Sequence, residues 1–187
     1  MSHKIYLPRF FLRMTVGFVS VLFCALLLAG DAENVLSNPD LELSGDSAGL
    51  SSWRLSPKGV SVASESKGLP KEIEVAIEVQ IGEVQKNDGA LSQSVYRKKT
   101  DPDTWQLSGW FKSEENRAGY VQVKLYDGDS ELERINVEYT PTKWEAFSKT
   151  FDASRATKII VLCRWRNYEK YEGSKVWFGG LELKPVK

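Results

Sequence analysis

Histidine is all but missing from this chain: of 187 residues only His3 is one, and it stands in an N-terminal stretch that reads as a removable leader. Its absence from the remainder excludes Ser-His-Asp and Cys-His nucleophile systems, histidine general bases and histidine-ligated zinc or iron. Cysteine is nearly as scarce. Of Cys24 and Cys163, the first lies inside the apolar N-terminal run, so Cys163 has no partner for an intramolecular disulfide and reads as a small buried hydrophobe within an apolar alternation. Neither sign of charge is in excess, with 25 Lys and Arg against 25 Asp and Glu. No basic surplus exists to neutralise phosphates, and nucleic acid is excluded as a partner.

Only one long uncharged stretch occurs, residues 14–29, behind Lys4, Arg9 and Arg13. A charged segment, an apolar segment and the small residues Ala29-Gly30-Asp31-Ala32 form the pattern of a signal peptide over residues 1–32. The stretch is shorter than the roughly 20 residues of a spanning helix. Residues 10–12 could lengthen it, so an uncleaved single-span anchor stays open, and only that case involves a membrane. Cys24 follows the bulky Phe23, which does not suit a lipoprotein cleavage site. Either reading places residues 33–187 outside the cytoplasm, as a secreted or extracytoplasmic domain large enough to bury a core without disulfides.

Within residues 33–187 the dominant period is two. Ile73, Val75, Ile77, Val79 and Ile81 alternate with Glu72, Glu74, Glu78 and Gln80, as in a half-buried strand. Similar stretches hold Trp105, Leu107 and Phe111; Val121, Val123 and Leu125; and Ile159, Val161, Cys163 and Trp165. Turn residues fall between them at Asn87-Asp-Gly89, Asp101-Pro-Asp103, Asp127-Gly-Asp129, Pro141 and Gly173. No segment shows a convincing helical period, and neither a repeat nor a second domain is visible. The fold class is all-β, an antiparallel β-sandwich.

Taken in order, Asn38-Pro-Asp-Leu-Glu-Leu43, Trp53, Gly89-Ala-Leu-Ser-Gln93, Trp105-Gln-Leu-Ser-Gly-Trp-Phe-Lys112, Thr142-Lys-Trp-Glu-Ala-Phe147 and Val176-Trp-Phe-Gly-Gly-Leu-Glu-Leu183 resemble carbohydrate-binding modules of families four, nine, sixteen and twenty-two. The resemblance implies a galactose-binding-domain-like jelly roll with a glycan cleft on the concave outer face of one sheet, often with a structural calcium at the edge. It implies that Glu42, with Asp40 beside it, ligates that calcium together with an aspartate of the closing motif. Gly179-Gly180 stand where the aspartates belong, which removes a carboxylate from an ion that takes 6 to 8 oxygen ligands. No other cofactor is expected.

Sugar recognition needs flat apolar faces for ring CH edges and planar polar groups for paired hydroxyls. On the family pattern three strands contribute, and their outward-facing set is Gln93, Tyr96, Gln122, Lys124, Tyr126, Arg164 and Arg166. Tyr126 and Tyr96 are the expected platforms, with Arg164, Lys124 and Gln93 as polar readers. Trp53, Trp105, Trp144 and Trp177 fall where the pattern packs its core, whereas Trp110 shares parity with Ser108 and Lys112 and faces out. Tyr168 and Tyr171 mark a loop at one rim.

The expected function is a non-catalytic module that binds poly- or oligosaccharide. Two rivals remain open. Galactose-binding-like domains also serve as extracellular protein-interaction or adhesion domains; a cleft where Tyr126, Lys124 and Arg164 converge favours the glycan, a flat apolar patch including Ile160 and Leu162 favours a protein. A carboxylate-based glycoside hydrolase would rest on Glu72, Glu74 and Glu78. Glu72 and Glu78 on one strand would stand roughly 20 Å apart, too far for a retaining pair, and only Glu72 with Glu74, at roughly 7 Å, approaches the spacing of an inverting pair.

Overall fold

The two-residue alternation of the sequence is realised as twelve strands and one short 3-10 turn (Glu169–Tyr171) among the described residues. The computed structural model describes residues 32–44, 49–50, 52–57, 60–83 and 87–186; the expected leader lies outside them apart from Ala32. No helix among the described residues is long and apolar enough to cross a membrane.

In chain order the strands are β1 (Leu43–Ser44), β2 (Gly49–Leu50), β3 (Arg54–Ser56), β4 (Ser61–Glu65), β5 (Ala76–Gln80), β6 (Gly89–Tyr96), β7 (Thr104–Ser113), β8 (Gly119–Asp127), β9 (Ser130–Tyr139), β10 (Glu145–Asp152), β11 (Lys158–Trp165) and β12 (Lys175–Pro185). One five-stranded sheet has the order β3-β6-β11-β8-β9 and a second the order β10-β7-β12-β5-β4, while β1 and β2 pair separately. Every pairing is antiparallel. The fold is an antiparallel β-sandwich of jelly-roll type.

Residues of one parity line the space between the sheets. Leu91, Val121, Val123, Leu125, Ile159, Val161, Cys163 and Trp165 come from the first sheet. Ile77, Val79, Trp105, Leu107, Phe111, Val176, Phe178 and Leu183 come from the second. Each such side chain contributes about 1.5–3 kcal/mol on burial, the largest favourable source of stability here. Phe111 meets Phe147 edge-on, ring centroids 5.0 Å apart. At the head of β6, Gly89 faces Trp165, and a Cβ there would fall 2.0 Å from the indole. Only glycine lets the buried Trp165 seat at this strand pair.

Backbone bonds from Val35 N–H to the Leu183 carbonyl (2.9 Å) and from Leu181 N–H to the Pro39 carbonyl (3.2 Å) tie the opening segment to the last strand, and one side-chain amide adds to them. Asn34 donates through Nδ2 to the carbonyl of Leu181 (2.8 Å), and its Oδ1 accepts from the N–H groups of Leu183 (3.0 Å) and Leu36 (3.1 Å). Trp53 adds an indole N–H bond to the Asn38 carbonyl at 3.0 Å.

Two expectations are corrected. The strand anticipated from Glu72 begins only at Ala76, because Ile73 N–H bonds back to the Pro70 carbonyl (3.2 Å) in a turn. Ile73 then packs over Gly179 and Gly180 instead of joining Ile77 in the core. Glu72 and Glu78 therefore do not share a strand. Trp177 is buried, but it has the parity of Lys112 and Glu78, opposite that of the inward Val176 and Phe178. Its indole donates to Glu78 Oε2 (3.0 Å) and lies under the Lys112 ammonium (4.2 Å from the centroid), so outer-face partners bury it. Trp144 is half-buried, 5.1 Å from the same ammonium, while Trp53 and Trp105 are core residues as expected.

Candidate functional site

Antiparallel register arranges the outer face of the β3-β6-β11-β8-β9 sheet as four cross-strand rows. At one end Ala90, Arg164, Tyr120 and Tyr139 are neighbours; next come Ser92, Leu162, Gln122 and Asn136; then Ser94, Ile160, Lys124 and Arg134; and last Tyr96, Lys158, Tyr126 and Glu131. From the first row to the last the face runs six residues along β8, roughly 20 Å.

The first two rows form a connected polar network. Gln122, 3% exposed, donates through Nε2 to Asn136 Oδ1 (2.7 Å) and accepts from the Arg164 guanidinium (3.3 Å). Arg164 also reaches the Asp88 carbonyl at 3.5 Å and lies 5.3 Å from the Tyr120 ring, while its buried Nε–H has no partner among the described residues. Tyr120 donates its hydroxyl to Asp88 Oδ2 (2.8 Å); burial, reinforced by that bond, pushes its pKa well above the ordinary tyrosine range, so it remains a donor. Arg166 and Arg117 lie over the Tyr139 ring at 4.8 and 4.2 Å, fixing a rim of stacked guanidinium and phenol groups.

At the other end Glu131 is the hub. Its carboxylate accepts from the Tyr126 hydroxyl (2.8 Å), Lys124 Nζ (3.2 Å) and Arg134 Nε (2.9 Å). The Tyr126 bond, followed by those from Lys124 and Arg134, pulls the Glu131 pKa down to about 2, and the same bond raises that of Tyr126. Lys158 Nζ covers the Tyr126 ring at 4.7 Å. Tyr126 is thereby held in one orientation before anything binds.

Of the residues expected from the sequence, Tyr96, Gln122, Lys124, Tyr126 and Arg164 lie on this face, and Arg166 follows Arg164 at its rim. Tyr96, 75% exposed, occupies the same row as Tyr126. Gln93 is corrected: it pairs with Val161 and points inward, where its amide accepts from Ser37 N–H (2.8 Å) and donates to the Ser37 carbonyl (2.8 Å). It anchors the opening segment and reads nothing outside. Of the two arrangements that would discriminate a glycan cleft from a protein-binding patch, neither is found: Tyr126, Lys124 and Arg164 do not converge, and Ile160 and Leu162 form no continuous apolar patch. Arg164 and Tyr126 stand at opposite ends of the face, with Ile160 and Leu162 between them, each flanked by polar neighbours in its own row. Asn136, Tyr139, Glu131 and Arg134 are absent from the sequence expectations, because β9 carries no unbroken period of two. Two register shifts against β8 interrupt its alternation. Tyr120 was legible from its shared parity with Gln122, Lys124 and Tyr126.

Asp40 lies away from this face, in a cleft of about 590 Å³ on the other sheet that Trp110, Glu72, Ser108, Ser148 and Glu182 also line. Glu42 is exposed, its backbone N–H and carbonyl bonded to the Asn38 side chain. Gly180 has φ +55°, and a Cβ there would stand 2.3 Å from Ile73 Cγ2. An aspartate has no room at that position, and among the described residues no group of three His, Cys, Asp or Glu side chains is arranged to hold a metal ion. The residues present do not fit the calcium site that the sequence resemblance implies.

No family model matches the sequence, and no curated protein does. Solved structures share its shape. A TM-score of 0.61 relates it to the enzymatically active domain of bacteriophage CBA120 tailspike protein 4, at 12% identity over 82% of this chain but only 21% of that one. The module TmCBM61 in complex with β-1,4-galactotriose aligns at a TM-score of 0.51 and 20% identity, over 83% of this chain and all of that one (100%). The CBM22-1 xylan-binding domain of Paenibacillus barcinonensis Xyn10C aligns at 0.56 and 16%, over 83% of this chain and 96% of that domain. Such identities speak to fold and not to site chemistry. The chain has the jelly-roll fold found in carbohydrate-binding modules.

Proposed function

We propose that this protein is a secreted, non-catalytic module that binds poly- or oligosaccharide along the outer face of the β3-β6-β11-β8-β9 sheet. The observation that carries the reading is the fixed polar network of Arg164, Gln122 and Asn136, continued along one face to Tyr126. Guanidinium and amide groups match the paired hydroxyls of a sugar, and the Tyr126 ring supplies a flat apolar surface for a pyranose. Because Glu131 and Lys158 already hold Tyr126, and Asp88 and Gln122 hold Arg164, little side-chain freedom is lost on binding. The length of the face suits an extended chain, whose successive units would meet first the arginine end and then the tyrosine end. Support from likeness is limited to fold: the module solved with β-1,4-galactotriose and the xylan-binding domain share it. Export rests on the leader read from the sequence.

The test is affinity electrophoresis of the purified protein through gels containing soluble polysaccharides. Replacing Arg164 by Ala removes a charged hydrogen-bonding group worth about 1.5–3 kcal/mol, a roughly ten- to hundredfold loss of affinity. Combining it with Tyr126→Ala should abolish retardation while the circular dichroism spectrum stays that of the parent. Undiminished retardation of the double variant would place the binding elsewhere.

A further inference from the structure

Directly after Tyr96 the chain enters the run Arg97-Lys98-Lys99, which faces the loop between β10 and β11 across a cleft of about 370 Å³. The lining includes Arg97, Lys98, Lys99, Asp103, Arg155 and Thr157, four cations against one carboxylate. In a chain of balanced total charge this is a local concentration of one sign.

Arg97 distinguishes it from a solvated basic turn. Its side chain is 6% exposed. The guanidinium donates to the carbonyls of Ala153, Ala156 (2.9 Å) and Pro102 (2.9 Å), and its buried Nε–H has no partner among the described residues. Carbonyls satisfy N–H groups without cancelling the charge. The carboxylate in contact is that of Asp103, 3.4 Å away and 70% exposed. Two more acids stand close by and offset part of this charge: Asp101, which accepts from Lys98 N–H at 2.8 Å, and Asp152, which accepts from the N–H of Ser154 at 2.8 Å and also feels the charges of Arg155 and Arg97. A buried cation so incompletely matched projects positive potential into the space beside it.

The cleft adjoins the binding face at its tyrosine end. Arg97 N–H bonds to the Thr157 carbonyl (3.0 Å), and Thr157 N–H bonds to the Tyr126 carbonyl (2.8 Å). The next residue, Lys158, carries the ammonium that covers the Tyr126 ring. A chain lying over Tyr126 and continuing in the same direction meets this basic cleft.

We infer that the glycan is anionic, and that the unit beyond Tyr126 places a carboxylate or sulfate among Arg97, Lys98, Lys99 and Arg155. This inference rests on the glycan-binding reading and narrows its ligand class. The experiment compares polygalacturonate with its methyl ester, and dextran sulfate with dextran, in the same affinity gels. The parent, a Lys98→Ala, Lys99→Ala, Arg155→Ala triple variant and the Tyr126→Ala variant are run side by side. Arg97 is left intact because its carbonyl bonds hold the loop.

At least one charged polymer should bind, its neutral counterpart should not, and added salt should weaken the binding. The triple variant should lose roughly tenfold in affinity, the sum of three exposed charge pairs. Tyr126→Ala should weaken it too, since one ligand spans both places. Equal binding of charged and neutral polymers, or a triple variant with parental affinity, overturns the inference and leaves the glycan reading standing. Charged-polymer binding indifferent to Tyr126→Ala also overturns it, by separating the cleft from the face. If no polymer, charged or neutral, is retained, the functional reading falls and the inference with it.

Discussion

Gly89→Ala is the substitution whose cost is most directly readable from packing. The new methyl group would stand 2.0, 2.1 and 2.3 Å from Cε2, Nε1 and Cζ2 of Trp165. Carbon atoms in contact sit about 3.5–4.0 Å apart, so the indole would have to retreat by roughly 1.5 Å. Trp165 is fully buried and cannot turn out toward solvent. Overpacking of this kind costs about 1–3 kcal/mol, and the size of the overlap argues for the upper end. Loss of glycine's extra freedom in the unfolded chain returns about 0.5–1 kcal/mol, leaving a net loss of about 2 kcal/mol. With a urea m-value of about 2 kcal/mol/M, the unfolding midpoint should fall by about 1 M at unchanged slope. Gly82→Ala, where a Cβ meets nothing within 4 Å among the described residues, is the control and should shift it little. A Gly89→Ala protein with the parental midpoint would refute the seating of Trp165 against this strand and with it the bracing of β11, which carries Arg164.

The acid limb of stability should depend on Glu131. Its pKa falls from 4.5 to about 2 on folding, so its contribution is complete above about pH 4.5 and disappears as pH drops toward 2; Glu131→Gln should flatten that part of the pH–stability curve, and an NMR titration placing the carboxyl near 4.5 would contradict the hub. Cys163 is wholly buried in apolar surroundings that raise its thiol pKa, so a thiol reagent should modify it only as fast as the domain opens. Rapid modification of the native protein would show the core to be looser than described. Trp177→Phe removes the hydrogen bond to Glu78, which keeps its ion pair with Lys175 (2.8 Å); a loss of about 1 kcal/mol in urea unfolding is expected, with glycan affinity unchanged.

Much of the sandwich was legible because period-two patterns carry burial information. The inward parity of Ile159, Val161, Cys163 and Trp165 could be read off directly, as could the turn at Gly128 between β8 and β9. Parity failed where pairing breaks. Ile73 keeps the alternation of Ile77, yet a turn sends it to the opposite side, into space left by Gly179 and Gly180. Polarity and the family pattern set Gln93 outward; as a buried amide it satisfies backbone groups of the opening segment instead. In the basic run after Tyr96 no local pattern reveals that Arg97 is planted among the carbonyls of a loop more than fifty residues away.

Amide chemical-shift mapping during titration with a bound oligosaccharide shows whether glycan lies on the β3-β6-β11-β8-β9 face. Perturbations should run from Tyr120, Gln122 and Arg164 to Lys124 and Tyr126, with the opposite sheet silent. Perturbations centred instead on Trp110, Ser108 and Glu182, in the cleft of the other sheet, would contradict that placement.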